Sequence, residues 1–370
     1  MTRTMLAAVY YGQHDIRFEQ RPVPEPDHGE MLIEVGTVGV CGTDAHEWAH
    51  GPHLHPVAVR HPATGWMGPI TPGHEFSGVV TAVGEGVDPS WVGRSVASCG
   101  SVACMQCDAC RRGESNQCRQ YNGVGLHRPG ALAEFVTTPV ENCLAIDHLG
   151  ISLDEAALCQ PMSIAVHNLA RAKVVAGEPA LVVGVGGIGA FLVAALADEG
   201  VDVVAADLDK ERLTIAADMG AYATVLAGRA DSDEQIARAL LGRDLRVAFE
   251  VSGSAAGIQT ALRVTSPGAR IVVVGLPKAP IDIDLARLSL QEKSLIGSNA
   301  LVREVDFPRA VELIAKRRGQ WNSIAPAVIP MVSGLVSDAL EPMAAGHPRA
   351  IKTLVDPRGT HERQVRRVER

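Results

Sequence analysis

Four cysteines fall within fifteen residues, as Cys104-x2-Cys107-x2-Cys110-x7-Cys118, and four soft thiolates at that spacing form the closed tetrahedral shell of a zinc site. A full shell leaves no position for substrate, so the zinc it implies is structural. A pair of disulfides is the other use of such a quartet, and it requires an oxidising compartment. A second group lies earlier in the chain. Cys41-Gly42-Thr43-Asp44-Ala45-His46 is followed by Gly73-His74-Glu75, which starts 32 residues after Cys41. A thiolate, an imidazole and a carboxylate brought from separate loops hold one zinc and keep a position open for chemistry.

A third group points to a cofactor. Gly184-x-Gly186-x-x-Gly189 follows the apolar run ALVV and opens a stretch of small helical residues, the setting in which such glycines cradle a pyrophosphate at a helix N-terminus. Asp207 comes 18 residues after Gly189, at the end of VDVVAAD, where a carboxylate accepts bonds from both ribose hydroxyls and repels a 2′-phosphate. NAD is therefore expected in preference to NADP. The glycines alone also admit a flavin, which the zinc chemistry disfavours.

These groups need elements to position them. Up to about residue 150, short Val/Ile/Thr-rich runs (31–38, 78–83, 133–137) alternate with Gly, Pro and Asp clusters, as in a β-rich domain. From Ser152-x-x-Glu155, which predicts a capping box, the rhythm changes. Strands at 181–183, 202–206, 247–250 and 270–274 then alternate with helical stretches, as in βαβ units around a parallel sheet. Residues 180–197 are uncharged for long enough to resemble a membrane span. Four glycines between Leu181 and Ala190 instead divide that run into strand, turn and helix. The charged tail over 358–370 has no apolar face and reads as frayed and solvated.

With 370 residues, 46% of them hydrophobic, the chain is long enough for two cores. Forty-two acidic against 34 basic residues give a net charge of −8, which argues against a phosphate-backbone partner. Neither nucleic acid nor membrane is expected. The opening MTRTMLAAVYYG is too poor in apolar residues for a signal-peptide core, so the expectation is a cytoplasmic protein whose cysteines at 41, 99, 143 and 159 are reduced.

Taken together, CGTDAH, GHEFSGVV, the cysteine quartet with Asn116 before Cys118, GVGGIG and the closing IKTLVDP resemble, in their order, the zinc-containing medium-chain alcohol dehydrogenase family over about residues 5–357. The 49–71 stretch is most similar to the butanediol dehydrogenase branch, neighbour to the sorbitol and threonine dehydrogenases. Its histidines at 50, 53, 55 and 61 are read as residues of a Pro-rich surface loop rather than ligands. The resemblance implies an α/β protein: a GroES-like, β-rich catalytic domain carrying both zinc sites (1–158), a doubly wound Rossmann NAD-binding domain (159–298), and a return to the catalytic domain (299–370).

By the same resemblance, Cys41, His74 and Glu75 hold a catalytic zinc, Asp44 orients the zinc-binding histidine, Thr43 takes the alcohol proton, and His46 relays it to solvent. Ile188 and Arg212 contact the cofactor, with Val274, Gly275 and Leu276 near the nicotinamide. Related dehydrogenases carry Glu-Pro where this chain has Gln160-Pro161. The expected ligand or water-holding group is thus the neutral Gln160, whose oxygen can coordinate a borderline cation; the adjacent Cys159 is the alternative. The reaction implied is NAD-dependent oxidation of a secondary alcohol or vicinal diol by a homo-oligomer, dimer or tetramer, with two zinc ions per chain. The leading substrate pair is 2,3-butanediol and acetoin. A polyol, a sugar or a cyclic secondary alcohol is the alternative within this chemistry. A zinc-knuckle binding protein is the alternative outside it, disfavoured by 4% aromatics.

Overall fold

The strand Glu30–Val40 runs eleven residues and is buried along most of both faces, and the first of two compact units is built around it. The computed structural model describes residues 3–368. Its units are Met1–Ser163 with Leu301–Arg370, and Ile164–Ala300. In the first, the long strand pairs antiparallel with Glu75–Val83, with Phe135–Pro139 at its start, and with Thr353–Asp356 at its end. Because side chains alternate along a strand, Met31, Ile33 and Val35 enter one core with Phe76, Val80 and Val96. Leu32 enters a second with Met5, Val9 and Phe135. The strands approach closely at Gly78, where a Cβ would lie 2.2 Å from the Glu34 carbonyl oxygen.

The first unit's main sheet has eight strands, and its far edge corrects one expectation. Over residues 358–368 the tail is not a frayed, solvated end; positions 369 and 370 lie outside the described residues. Arg363–Gln364 pairs antiparallel with Ala327–Pro330, Val365 is buried, and the Arg363 guanidinium binds the buried carboxylate of Asp154 at 2.6 and 2.9 Å. A charged sequence without an apolar stripe is tied down by one buried counter-charge that lies 209 positions away.

The Ser152 box forms: Ser152 N–H donates to Glu155 at 3.0 Å, and Ser152 Oγ accepts from Glu155 N–H at 3.2 Å. It opens only the short helix Leu153–Ala156. The long helix is Cys159–Ala172.

The second unit is a six-stranded parallel sheet ordered Ala223–Leu226, Asp202–Asp207, Pro179–Val183, Val247–Glu250, Arg270–Val273, Ser294–Gly297. That is the doubly wound 3-2-1-4-5-6 order, whose direction reverses beside the first strand. The uncharged run resolves into the buried strand Pro179–Val183 and the helix Gly189–Asp198. Among the described residues, no helix is long and apolar enough to cross a membrane. The two strands absent from the sequence reading, Ala223–Leu226 and Ser294–Gly297, are the edges, where half-exposed residues leave little apolar signal.

Candidate active site and metal centres

The cysteine quartet closes into one cluster in the first unit. Its sulfurs stand 3.6 Å (Cys107–Cys110), 3.9 Å (Cys107–Cys118) and 3.4 Å (Cys104–Cys118) apart, close to the roughly 3.8 Å set by four bonds of about 2.3 Å to one tetrahedral zinc. All eight cysteines of the chain are free. Backbone N–H groups of Cys104 and Gln120 donate to Cys118 Sγ, each at 3.3 Å. N–H groups of Cys110 and Arg119 hold the Cys107 thiol down to about 6, whereas burial pushes Cys110 up to about 12.

The second cluster stands at the end of the long strand. Cys41 is the N-cap of the helix Gly42–His50, and its N–H donates to Asp44 Oδ2 at 2.9 Å. His74 arrives on the segment that leads into the strand Glu75–Val83. Gly73 adopts φ +96°, and a Cβ there would meet the Leu132 nitrogen at 2.8 Å, so only glycine brings His74 in. The ligand atoms of Cys41, His74 and Glu75 lie within 4.8 Å of one another. Thr43 Oγ1 is 3.7 Å from Cys41 Sγ. His46, one turn further along the helix, is exposed.

The donors fit a cation. His74 Nδ1 and Asp44 Oδ1 are buried, 3.7 Å apart, and neither has a hydrogen-bond partner. Unsatisfied buried groups are costly, and this pair suits a ligating imidazole that turns its Nδ1–H to a carboxylate. Burial opposes a charge on His74, but Asp44 and Cys41 outweigh it and push the imidazole up to about 10. A metal entering here displaces that proton.

The sequence reading missed Lys352. It is buried, and its ammonium donates to both Glu75 oxygens at 2.8 Å and to the Val40 carbonyl at 3.3 Å. Gly39 makes room for the pair, since a Cβ there would strike the Glu75 carboxylate. The signal was present in IKTLVDP, where a lysine interrupts an otherwise apolar strand start. Gln160 is partly buried in the first turn of Cys159–Ala172, its carbonyl accepting from Ser163 Oγ at 2.6 Å. Cys159 is fully buried, and burial pushes its thiol upward.

In the second unit, the glycines divide their roles. Gly184 has φ +96°, and a Cβ on Gly189 would sit 1.9 Å from the Gly184 oxygen, whereas a Cβ on Gly186 would meet only open space. The Gly186 backbone therefore lines a cradle of the kind a pyrophosphate fills. Asp207 ends its strand, buried, accepting from Val185 N–H at 2.6 Å and Asp209 N–H at 2.9 Å. Each carboxylate oxygen keeps a lone pair for a ribose hydroxyl. Ile188 is partly buried and caps the helix Gly189–Asp198; Arg212 Nε lies 4.0 Å from Asp209.

Val274 and Gly275 donate backbone N–H to the Glu250 carbonyl at 2.8 and 2.9 Å, and Leu276 is exposed. Glu250 was also missed. Its buried carboxylate accepts from Ser252 Oγ and from the N–H groups of Ser252 (2.9 Å) and Gly253 (3.1 Å), which shapes the loop beside Gly184.

Two family models match parts of the sequence. The profile of the alcohol dehydrogenase GroES-like domain matches residues 27–148, and that of the zinc-binding dehydrogenases matches 187–316. An (R,R)-butanediol dehydrogenase of Neisseria gonorrhoeae is 31% identical over 95% of this chain and 99% of its own. A probable D-xylulose reductase A of Emericella nidulans is 30% identical over 96% and 97%. Among solved structures, 2R,3R-butanediol dehydrogenase from Bacillus subtilis superposes with a TM-score of 0.86 at 29% identity, over 95% of this chain and 99% of the other.

Proposed function

Because the chain belongs to the zinc-containing medium-chain alcohol dehydrogenase family, we propose that it oxidises a secondary alcohol or vicinal diol to the ketone with NAD, and runs the reverse, with 2,3-butanediol and acetoin as the leading pair. The observation that supports the reading is the contrast between its two clusters: four cysteines gather in one, where a metal would be fully enclosed, while a metal held by Cys41, His74 and Glu75 would keep a position open. When bound, zinc supplies Lewis acidity to the substrate oxygen and NAD accepts the hydride.

The remaining work falls to side chains. Thr43, beside Cys41, receives the hydroxyl proton, and His46 passes it to solvent. Asp44 fixes the tautomer of His74. Gln160 supplies a neutral oxygen that adds no charge to the site. Gly184, Gly186 and Gly189 admit the pyrophosphate; Asp207 selects an unphosphorylated ribose. Ile188, Arg212, Val274, Gly275 and Leu276 line the rest of the cofactor's path. The names of the relatives favour a polyol or sugar as the second substrate class. We infer a homo-oligomer that works in the cytoplasm.

The test is a panel of secondary alcohols, diols and polyols assayed with NAD, paired with elemental analysis. Two zinc ions per chain are expected, with one lost in Cys41→Ala together with turnover. A Cys41→Ala protein that kept full turnover would overturn the site; activity confined to sugars would move the substrate assignment.

A further inference from the structure

The histidines at 50, 53, 55 and 61 do not share one surface loop, which corrects that expectation: His50 ends the helix Gly42–His50, His55 is buried, and His61 stacks on His127. A buried carboxylate in the second unit has a more definite role. We propose that Glu250 is a positioning residue for the nicotinamide half of the cofactor, and that it acts by holding the turn 251–254 between the Gly184 turn and the segment 274–276. The choice of the nicotinamide half rests on the place proposed for Val274, Gly275 and Leu276; the hydrogen bonds do not. Glu250 ends the strand Val247–Glu250, in register with Val183 on one side and Val273 on the other. It is only 2% exposed. In open parallel sheets ligands bind off the carboxyl ends of the strands, and the ends of these three strands are adjacent.

A carboxylate only accepts hydrogen bonds, and that sets the direction of a chain of them. One Glu250 oxygen accepts the Ser252 N–H at 2.9 Å together with the proton of Ser252 Oγ, and the other accepts the Gly253 N–H at 3.1 Å. Ser252 Oγ therefore accepts from Ser254 Oγ at 2.8 Å, and Ser254 Oγ accepts from the Gly257 N–H at 3.0 Å. The chain runs from the first turn of the helix Ala255–Val264 to one carboxylate, each bond polarising the next. The turn has no slack around it. A Cβ on Gly184 would lie 2.8 Å from the Ser252 nitrogen, one on Gly275 2.1 Å from the Gly253 nitrogen, and one on Gly253 2.8 Å from the Leu276 oxygen. The Glu250 carbonyl also accepts from Val274 and Gly275, so one residue ties the turn by its side chain and the neighbouring segment by its backbone. The Gly184 turn has a second anchor: Gly184 N–H donates to the Ala206 carbonyl at 2.8 Å and Val185 N–H to Asp207 at 2.6 Å. A displaced 251–254 turn therefore disturbs the 274–276 side first. Glutamine at position 250 causes that displacement, because its NH2 group faces the N–H of either Ser252 or Gly253 whichever way it turns, and a buried donor loses its acceptor.

The experiment measures, by calorimetry on the zinc-loaded protein, the affinities of NADH and of ADP-ribose, which lacks the nicotinamide. Glu250→Gln should weaken NADH about tenfold, the loss that follows when the competent turn is held by about a tenth of the molecules. ADP-ribose should bind as it does to the wild type. Asp207→Ser should weaken both ligands alike, because both carry the adenosine ribose. A wild type that bound neither ligand would overturn the cofactor reading and the proposal with it. Equal losses of NADH and ADP-ribose in Glu250→Gln, or no loss of either, overturn the positioning role while the cofactor reading stands. If Glu250→Gln does not fold, Ser252→Ala removes one link of the chain from an exposed residue and must show the same selective loss of NADH; an unchanged NADH affinity there overturns the proposal.

Discussion

Glu75 has both oxygens on the Lys352 ammonium while sharing a cluster with Cys41 and His74. Burial opposes the charge on Lys352, but the Glu75 and Cys41 charges outweigh it and raise the ammonium above its ordinary range. Such a pair contributes little net stability as a pair, yet breaking it strands a buried charge. In the zinc-free protein Lys352→Met is accordingly expected to destabilise by about 3–5 kcal/mol, and Glu75→Gln in the same chain should recover a large part of that loss. Denaturant unfolding of the wild type, both single variants and the double variant closes the cycle. Strictly additive losses would show that the two side chains act independently.

At the scale of elements, the sheet edge of the first unit hangs on Asp154. The short helix Leu153–Ala156 presents its carboxylate to Thr37 Oγ1 at 2.6 Å, to the Arg363 guanidinium and to the Arg366 N–H at 2.7 Å. Burial works against that charge, and Arg363 and Thr37 more than offset it, holding the carboxyl below the ordinary carboxylate range. A depressed folded-state value stabilises fully above the unfolded value of about 3.9 and is lost as pH falls through the folded one. Asp154→Asn should therefore lower stability by about 3–5 kcal/mol at neutral pH. Its gap from the wild type should narrow below about pH 4. A gap that stayed constant to pH 3 would mean that Asp154 carries no charge in the folded protein.

At the scale of the molecule, the two units carry different ligand chemistry: thiolate clusters in one and the glycine cradle with Asp207 in the other. A ligand that binds only the folded state stabilises it by about 2.7 kcal/mol at a hundred times its dissociation constant. NAD should raise the melting temperature, and Asp207→Ser should abolish that rise more than it affects a rise from NADP, because the carboxylate that repels phosphate is gone. Chelation should lower the melting temperature through the cysteine cluster, whose binding energy is folding energy. Cys107→Ala should reproduce that loss and leave NAD protection intact. Thermal melts of the three proteins with NAD, NADP and EDTA decide it; equal NAD protection in Asp207→Ser would sink the cofactor assignment.

Whatever depended on spacing along the chain was legible before folding. Three residues from Cys104 to Cys107 and three more to Cys110 bring the thiols within reach of one another whatever surrounds them, the glycines mark the tight turn between strand and helix, and Asp207 closes the next strand. These are local geometries, and local geometry follows from residue type and the two backbone periods. The central strands of the parallel sheet were legible for the same reason, because burial on both faces makes them continuously apolar. Partners drawn from distant positions were not. Lys352 meets Glu75 across 277 positions and Arg363 meets Asp154 across 209, and the patterning of either segment alone gives no sign of the other. Register along one element is written in the sequence; which buried charge waits at the far end of the chain is decided by packing.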